Sequence, residues 1–346
     1  MHDILEGVCK YDIGMMLKTM IYDLNYFTID ILNDRIESFN YGPINIRNIP
    51  PLLSNESLRR GIIKMSASEM LCFTKNLALI IGELVPLHSK YWCLYVTLKQ
   101  IIDILLGKCL KVEDIKLCKV LIKEHHELYI QLFNTHLKPK FHHMIHYPFI
   151  MEQCGPLSSL WSMRFESKHK QLKETAKSIT SRKNSPYTLA LKHQLSLAYR
   201  VLSSNNNIID MQFGHQITLS ETTWLEYSKV EFLCSPFEFL EDAIFVSWIN
   251  FKGTTYNSNN MSILVSLSDN PNILPIFGLI ISIFIQADNI PFIICKIYEN
   301  NYFDEHFQAY NVQLPEKLLC CSVEKLDSVH PTVHCVLSNN LSYIPL

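Results

Sequence analysis

The sequence predicts an α+β protein, with a mostly α-helical N-terminal region over residues 1–204 and a small, mostly β C-terminal domain over residues 222–346. Three observations carry this. Up to Val201, apolar residues recur at helical spacing between helix start and stop signals. Further on they collect in short β-branched and aromatic runs separated by Asn, Asp and Ser. The charge changes at the same place. Residues 1–137 hold 15 basic and 15 acidic groups, residues 138–204 are strongly basic, and residues 205–346 hold 5 basic and 15 acidic. The polar run Ser203–Asn207 marks the switch and falls at the start of a linker over 205–221.

Taken in order, Leu5, Val8, Ile13, Met16, Met20 and Leu24 predict a helix over residues 2–24, and a second runs from Ile29 to Phe39. Gly42, Pro43, Pro50 and Pro51 make 41–64 a loop. Ser66 and Glu69 have the spacing of a capping box, in which hydroxyl and carboxylate each satisfy an orphan N–H; it opens a helix running to Val85, before Pro86. Helices follow over Ser89–Leu106, stopped by Gly107, and over Val112–Phe133. The latter turns Ile115, Leu117, Val120, Leu121, Leu128 and Leu132 inward and leaves His125, His126 and Glu127 on an exposed polar face. Two more helices cover Met163–Lys177 and, from the cap Ser185 and first-turn Pro186, the stretch to Val201. Strands are predicted over Phe237–Leu240, Ile244–Phe251, Met261–Leu267, Ile276–Ile285, Pro291–Tyr298 and Phe307–Val312. A hairpin joins Leu279–Ile285 to Pro291–Ile297, and a compact barrel is the expected arrangement.

A chain of 346 residues with 48% apolar content can bury a sizeable core and suggests two domains. Its eleven cysteines are odd in number and scattered without a C-x-x-C, which points to buried thiols in a reducing compartment. Asp3, Glu6, Lys10 and Asp12 break any signal-peptide core. The longest apolar run, Ile273–Ile285, is 13 residues, too short to span a bilayer. An intracellular protein of the nucleus or cytoplasm is expected, with no membrane partner. The sequence has no Gly-rich phosphate loop, nucleophile-elbow serine or H-E-x-x-H, so those hydrolase classes are excluded.

Chemistry concentrates between Lys138 and Arg200, where eleven Lys and Arg face three Glu. Lys138, Lys140, Arg164, Lys168, Lys170, Lys173, Lys177, Arg182 and Lys183 are candidate nucleic-acid contacts. Glu166, Lys170, Lys173 and Lys177 recur at helical spacing, so that a carboxylate could hold a divalent cation while lysines follow phosphates. The alternative is a solvated basic face with an ordinary Glu166–Lys170 pair. His142 and His146, four apart, are candidate metal ligands that supply half of a zinc set, to which Cys154 or His169 could contribute. Histidines packed beside Tyr147 and Pro148 are the alternative there.

MHDILEGV at 1–8, KPKFHHMIHYP at 138–148 and WSMRFESKHKQLK at 161–173, in this order, resemble transposases of the CACTA (En/Spm-type) group over about residues 1–200. The resemblance implies an RNase H-like core with a DDE acid triad that holds Mg²⁺ or Mn²⁺, and a helical insertion before the Glu. On that pattern Glu166 is the third acid and His2 is the His three positions after the second Asp. His142 and His146 fall where the group keeps paired metal-ligand histidines, implying Zn²⁺. The chain departs from the group: the second Asp would fall ahead of Met1, the first Asp is absent, and the Cys pair is not seen. Two-metal phosphoryl transfer places two cations about 4 Å apart, which a single Glu cannot hold. These residues alone are therefore expected to bind DNA without cutting it, as a truncated, transposable-element-derived DDE protein with a vestigial third acid. The alternative is a non-enzymatic, domesticated protein-interaction module that uses the helical region and the acidic β domain.

Overall fold

A computed structural model of the chain describes every residue except 1, 181–182, 203–210, 219, 221–230, 233–242, 259–260, 268–272, 287–289, 327, 329–330 and 346. The protein is α+β. It divides into two compact units, one of Met1–Ile13 with Thr97–Ile209 and the other of Gly14–Val96 with Asp210–Leu346. One boundary of this division, between Ile209 and Asp210, falls inside the expected linker beside the charge switch, while the others group the helices of 14–96 with the strands. Charge marks where the surface changes sign, whereas a unit is set by which apolar faces bury one another.

The described helices are α1 (Cys9–Lys18), α2 (Ile29–Ser38), α3 (Gly42–Asn45), α4 (Asn55–Arg59), α5 (Ala67–Ile81), α6 (Lys90–Leu106), α7 (Val112–Phe133), α8 (Pro139–Met144), α9 (Tyr147–Cys154), α10 (Met163–Ser178) and α11 (Ser185–Leu202). π-helical turns Ile4–Val8 and Thr19–Asp23 flank α1, so residues 4–23 are continuously helical. The loop expected over 41–64 instead contains two short helices. Pro43 sits in the first turn of α3, where its missing N–H has no intrahelical partner to lose, and Ser54 caps α4 by accepting from Ser57 N at 3.3 Å. The capping box of α5 is formed, Glu69 accepting from Ser66 N at 2.7 Å and Ser66 Oγ from Glu69 N at 3.4 Å. The α-helical geometry stops at Ile81 and tightens into a 3₁₀ turn over Gly82–Leu84 before Pro86.

In the first unit, the buried stripe of α7 is Ile115, Cys118, Leu121, Ile122, His125, His126 and Tyr129. Leu117 and Val120, expected inward, are each 51% exposed, and the two histidines, expected outside, are buried at 0% and 7%. The i, i+3/i+4 rhythm that starts at Ile115 carries them inward. Phe141 of α8 lies against both imidazoles, with ring centroids at 6.2 and 5.9 Å, and against Tyr129 at 4.9 Å.

The second unit carries the strands: β1 (Met211–Phe213), β2 (Glu231–Phe232), β3 (Ile244–Val246), β4 (Trp248–Phe251), β5 (Thr254–Asn257), β6 (Met261–Ser266), β7 (Ile276–Ile285), β8 (Pro291–Asp304), β9 (Ala309–Ser322), β10 (Thr332–Val333), β11 (Cys335–Val336) and β12 (Ser342–Pro345). One sheet has the order β1-β4-β5; the other runs β10-β6-β7-β8-β9-β12-β11, with β3 on β7 and β2 on β9. The second sheet curls, and Thr332 Oγ1 of β10 donates to Pro345 O of β12 at 2.7 Å. The segment read as a linker holds β1, paired with β4. The run Ile244–Phe251 is two strands broken at Ser247, one for each sheet. The predicted strand Phe237–Leu240, the polar run Ser203–Asn207 and the turn at 287–289 lie outside the described residues.

The β7–β8 hairpin has its predicted pairing, from Ile285↔Pro291 to Leu279↔Lys296, with a register shift between Ile280 and Ser282. Gly278 on β7 has a packing reason: a Cβ there would stand 2.7 Å from Cys295 Sγ of β8. The β8 and β9 strands extend to 14 residues each, and Phe307, expected in a strand, lies in the turn between them. Val246, Ile249, Ile263, Ile280, Ile283 and Ile293 form the main core, each such burial contributing roughly 1.5–3 kcal/mol. The helices of 14–96 bind the sheet by specific contacts: Leu79 packs with Ala309, Leu337 and Tyr343, and Trp92 Nε1 donates to His306 O at 3.0 Å. Among the described residues no helix is long and apolar enough to cross a membrane, and none of the ten described cysteines forms a disulfide.

Candidate functional site

Three sequence-distant segments of the first unit meet: the π-turn at Ile4–Val8, the α8–α9 junction and the start of α10. The meeting depends on Gly7. Lys140 crosses directly over it, where an added Cβ would lie 2.3 Å from Lys140 Cδ, and reaches His2 O at 2.7 Å. His143 Nδ1 stands 3.1 Å from Asp3 Oδ2, and Tyr147 OH donates to the same oxygen at 3.4 Å. These contacts hold residues 2 and 3 against α8 and α9.

His2 is the centre of the site. Its Nδ1 lies 2.5 Å from Glu6 Oε2 and its Nε2 lies 3.2 Å from Glu166 Oε1, across 164 positions of sequence. With a carboxylate at each ring nitrogen, both nitrogens are best served as donors. The imidazole pKa is accordingly raised above its ordinary 6.5, first by the Glu6 hydrogen bond and then by that of Glu166. No ion pair joins Glu166 to Lys170 among the described residues; the partner of Glu166 is His2.

The candidate cations separate into two groups. Lys138 and Lys140 are engaged within the unit, Lys138 Nζ lying 3.4 Å from the centre of the Tyr11 ring. Lys170, Lys173 and Lys177 are exposed along α10 and have no ion pair among the described residues; Lys183 is also exposed. Arg164 and Lys168 lie on the same helix, and Arg182 lies outside the described residues.

His142 and His146 do face each other, Nε2 to Nε2 at 3.3 Å, although α8 ends at Met144 and His146 caps α9. That separation fits two Zn–N bonds of about 2.0–2.1 Å at a tetrahedral angle. Neither Cys154 nor His169 joins them: among the described residues no group of three or more His, Cys, Asp or Glu gathers in metal-binding geometry. Glu6 and Glu166 lie at opposite edges of the His2 ring and do not converge on one point.

Sequence reasoning missed Asp3, Glu6, His143 and Tyr147 as partners of this cluster. It also missed Asp12, whose Oδ2 lies 2.5 Å from His125 Nε2 with both side chains at most 2% exposed. The phase of α7 was the available signal, since His125 falls one turn after Leu121 and one before Tyr129. No family model, curated protein or solved structure matches the chain.

Proposed function

We propose that residues 1–200 are the third-acid region of a CACTA-type DDE transposase, now a transposable-element-derived DNA-binding protein acting in the nucleus. Glu166 is its vestigial third acid, and the helices between His2 and Glu166 belong to the insertion of an RNase H-like core. The supporting observation is the His2–Glu166 contact at 3.2 Å, because the motif order relates these two residues and nothing in their local sequence does. Duplex DNA is the ligand, its phosphates following Lys170, Lys173 and Lys177 on the exposed face of α10.

The residues present do not fit a two-metal centre by themselves, since the carboxylates around His2 diverge; Mg²⁺ or Mn²⁺ at Glu166 would need further acids. His142 and His146 would supply two ligands of a four-ligand zinc set. The proposed activity is therefore binding. Each phosphate contact releases condensed counterions, so affinity should fall steeply with salt, with a log–log slope of about 0.9 per contact. Duplex binding measured across salt concentrations tests this. Alanine at Lys170, Lys173 and Lys177 together should lower the slope by about 3 and leave the circular dichroism unchanged. Undetectable binding at low salt, or an unaltered slope, would sink the reading.

A further inference from the structure

Helix α11 meets α10 near its first turn, where Ser185 and Leu189 border a small cleft with Ala176 and Ile179. Another face of α11 carries a ridge of apolar side chains. Tyr187, Leu191, Leu195 and Tyr199 recur every four residues and are 62%, 44%, 59% and 74% exposed. Leu197 and Val201 are exposed as well, but two positions off the ridge and so on another side of the helix. Single exposed apolar residues are ordinary, but a continuous ridge of large ones marks an interaction surface.

The pattern identifies the occupant. Tyr-x₃-Leu-x₃-Leu-x₃-Tyr reads the same in both directions about His193. Laid antiparallel on a second α11, each Tyr187 meets Tyr199 and each Leu191 meets Leu195, the self-complementarity of an isologous two-fold contact. A foreign partner would impose no such symmetry. Residues four apart form the ridges that interdigitate in the commonest helix-pair geometry, crossing at about −50°. The four side chains from two copies bring together on the order of 1,000 Å², the lower bound for a specific interface. Aromatic residues at its ends suit such a seam, offering an apolar body with a hydroxyl at the rim.

We propose that α11 is a dimerisation helix, seated antiparallel on α11 of a second copy of this chain. The proposal stands apart from DNA binding. Sedimentation velocity on the full chain tests it. The wild type should form a concentration-dependent dimer in the micromolar range. L191E/L195E, which alters only exposed positions, should be monomeric with unchanged circular dichroism. L191E/L195K should recover dimer, because opposite charges then face each other across an antiparallel seam, whereas a parallel seam would set like against like. A wild type that remains monomeric to about 100 µM would overturn the proposal and assign the ridge to another partner. A double-glutamate variant that dimerises as well as wild type would overturn it too, by placing the dimer elsewhere. Failure of L191E/L195K to recover any dimer would rule out the antiparallel arrangement.

Discussion

With Glu6 Oε2 at 2.5 Å from Nδ1 and Glu166 Oε1 at 3.2 Å from Nε2, His2 can link the first turn of the chain to α10 through both nitrogens only while it carries two protons. Its folded pKa is raised, so the contact is fully present below the ordinary 6.5 and is lost as pH rises through the raised value. The ring is more than half exposed, and the effect belongs to local geometry rather than to global stability. A proton NMR titration should therefore place the His2 midpoint above 6.5. E6Q should lower that midpoint more than E166Q, because the Glu6 hydrogen bond is the larger cause. The reverse order would mean that Glu166, not Glu6, dominates the ring. The sequence related His2 to Glu166 only through a resemblance, and the structure sets their side chains in contact. Asp3, Glu6 and His143 were not legible as their neighbours, because the pairing of residues 2–6 with 140–147 is set by tertiary packing over Gly7.

At the scale of elements, the Asp12–His125 contact fastens the first turn of α1 to the middle of α7, and Phe141 of α8 covers the imidazole. Both groups are cut off from water, so each depends on the other for compensation. D12A should destabilise the fold by about 3–5 kcal/mol, read as a lower urea midpoint at unchanged slope. Replacing both groups by leucine should cost less than D12A, since no polar group is then left unpaired. A D12A midpoint equal to wild type would mean that water reaches His125. Most helices were legible from periodicity and caps, the Ser66–Glu69 box above all, because those signals act within one turn. The break at Ser247 and the strand Met211–Phe213 were not, because what ends or recruits a short strand is a partner far away in sequence. The same limit hid the inward side of α7, where two apolar sides compete and only packing chooses.

For the whole molecule, composition and run length were enough to read an α+β chain, but not the grouping of residues 14–96 with the sheet, since Leu79 against Tyr343 and Trp92 against His306 join segments more than 200 positions apart. Both units nevertheless share one response to acid. In the first, His126 is buried and its pKa is pushed down to about 4, chiefly by burial and further by His125 and His142. In the second, burial lowers the pKa of His334. There too, burial raises the Glu83 carboxyl, but hydrogen bonds from Ser338, Arg35 and Asn339 outweigh it and the net shift is down. All three folded pKa values are depressed, so the unfolded chain takes up protons first. For the histidines, stability is fully present above 6.5 and is lost as pH falls toward the folded value; for Glu83 the loss begins below the ordinary carboxylate range. His126 alone amounts to about 3 kcal/mol between pH 6.5 and 4. Urea midpoints should thus be steady from pH 7.5 to 6.5 and then fall through pH 5.5 and 4.5, and H126Q should flatten that fall within the first unit. Equal wild-type midpoints at pH 7.5 and 4.5 would show that these histidines take up protons in the folded protein as readily as in the unfolded chain.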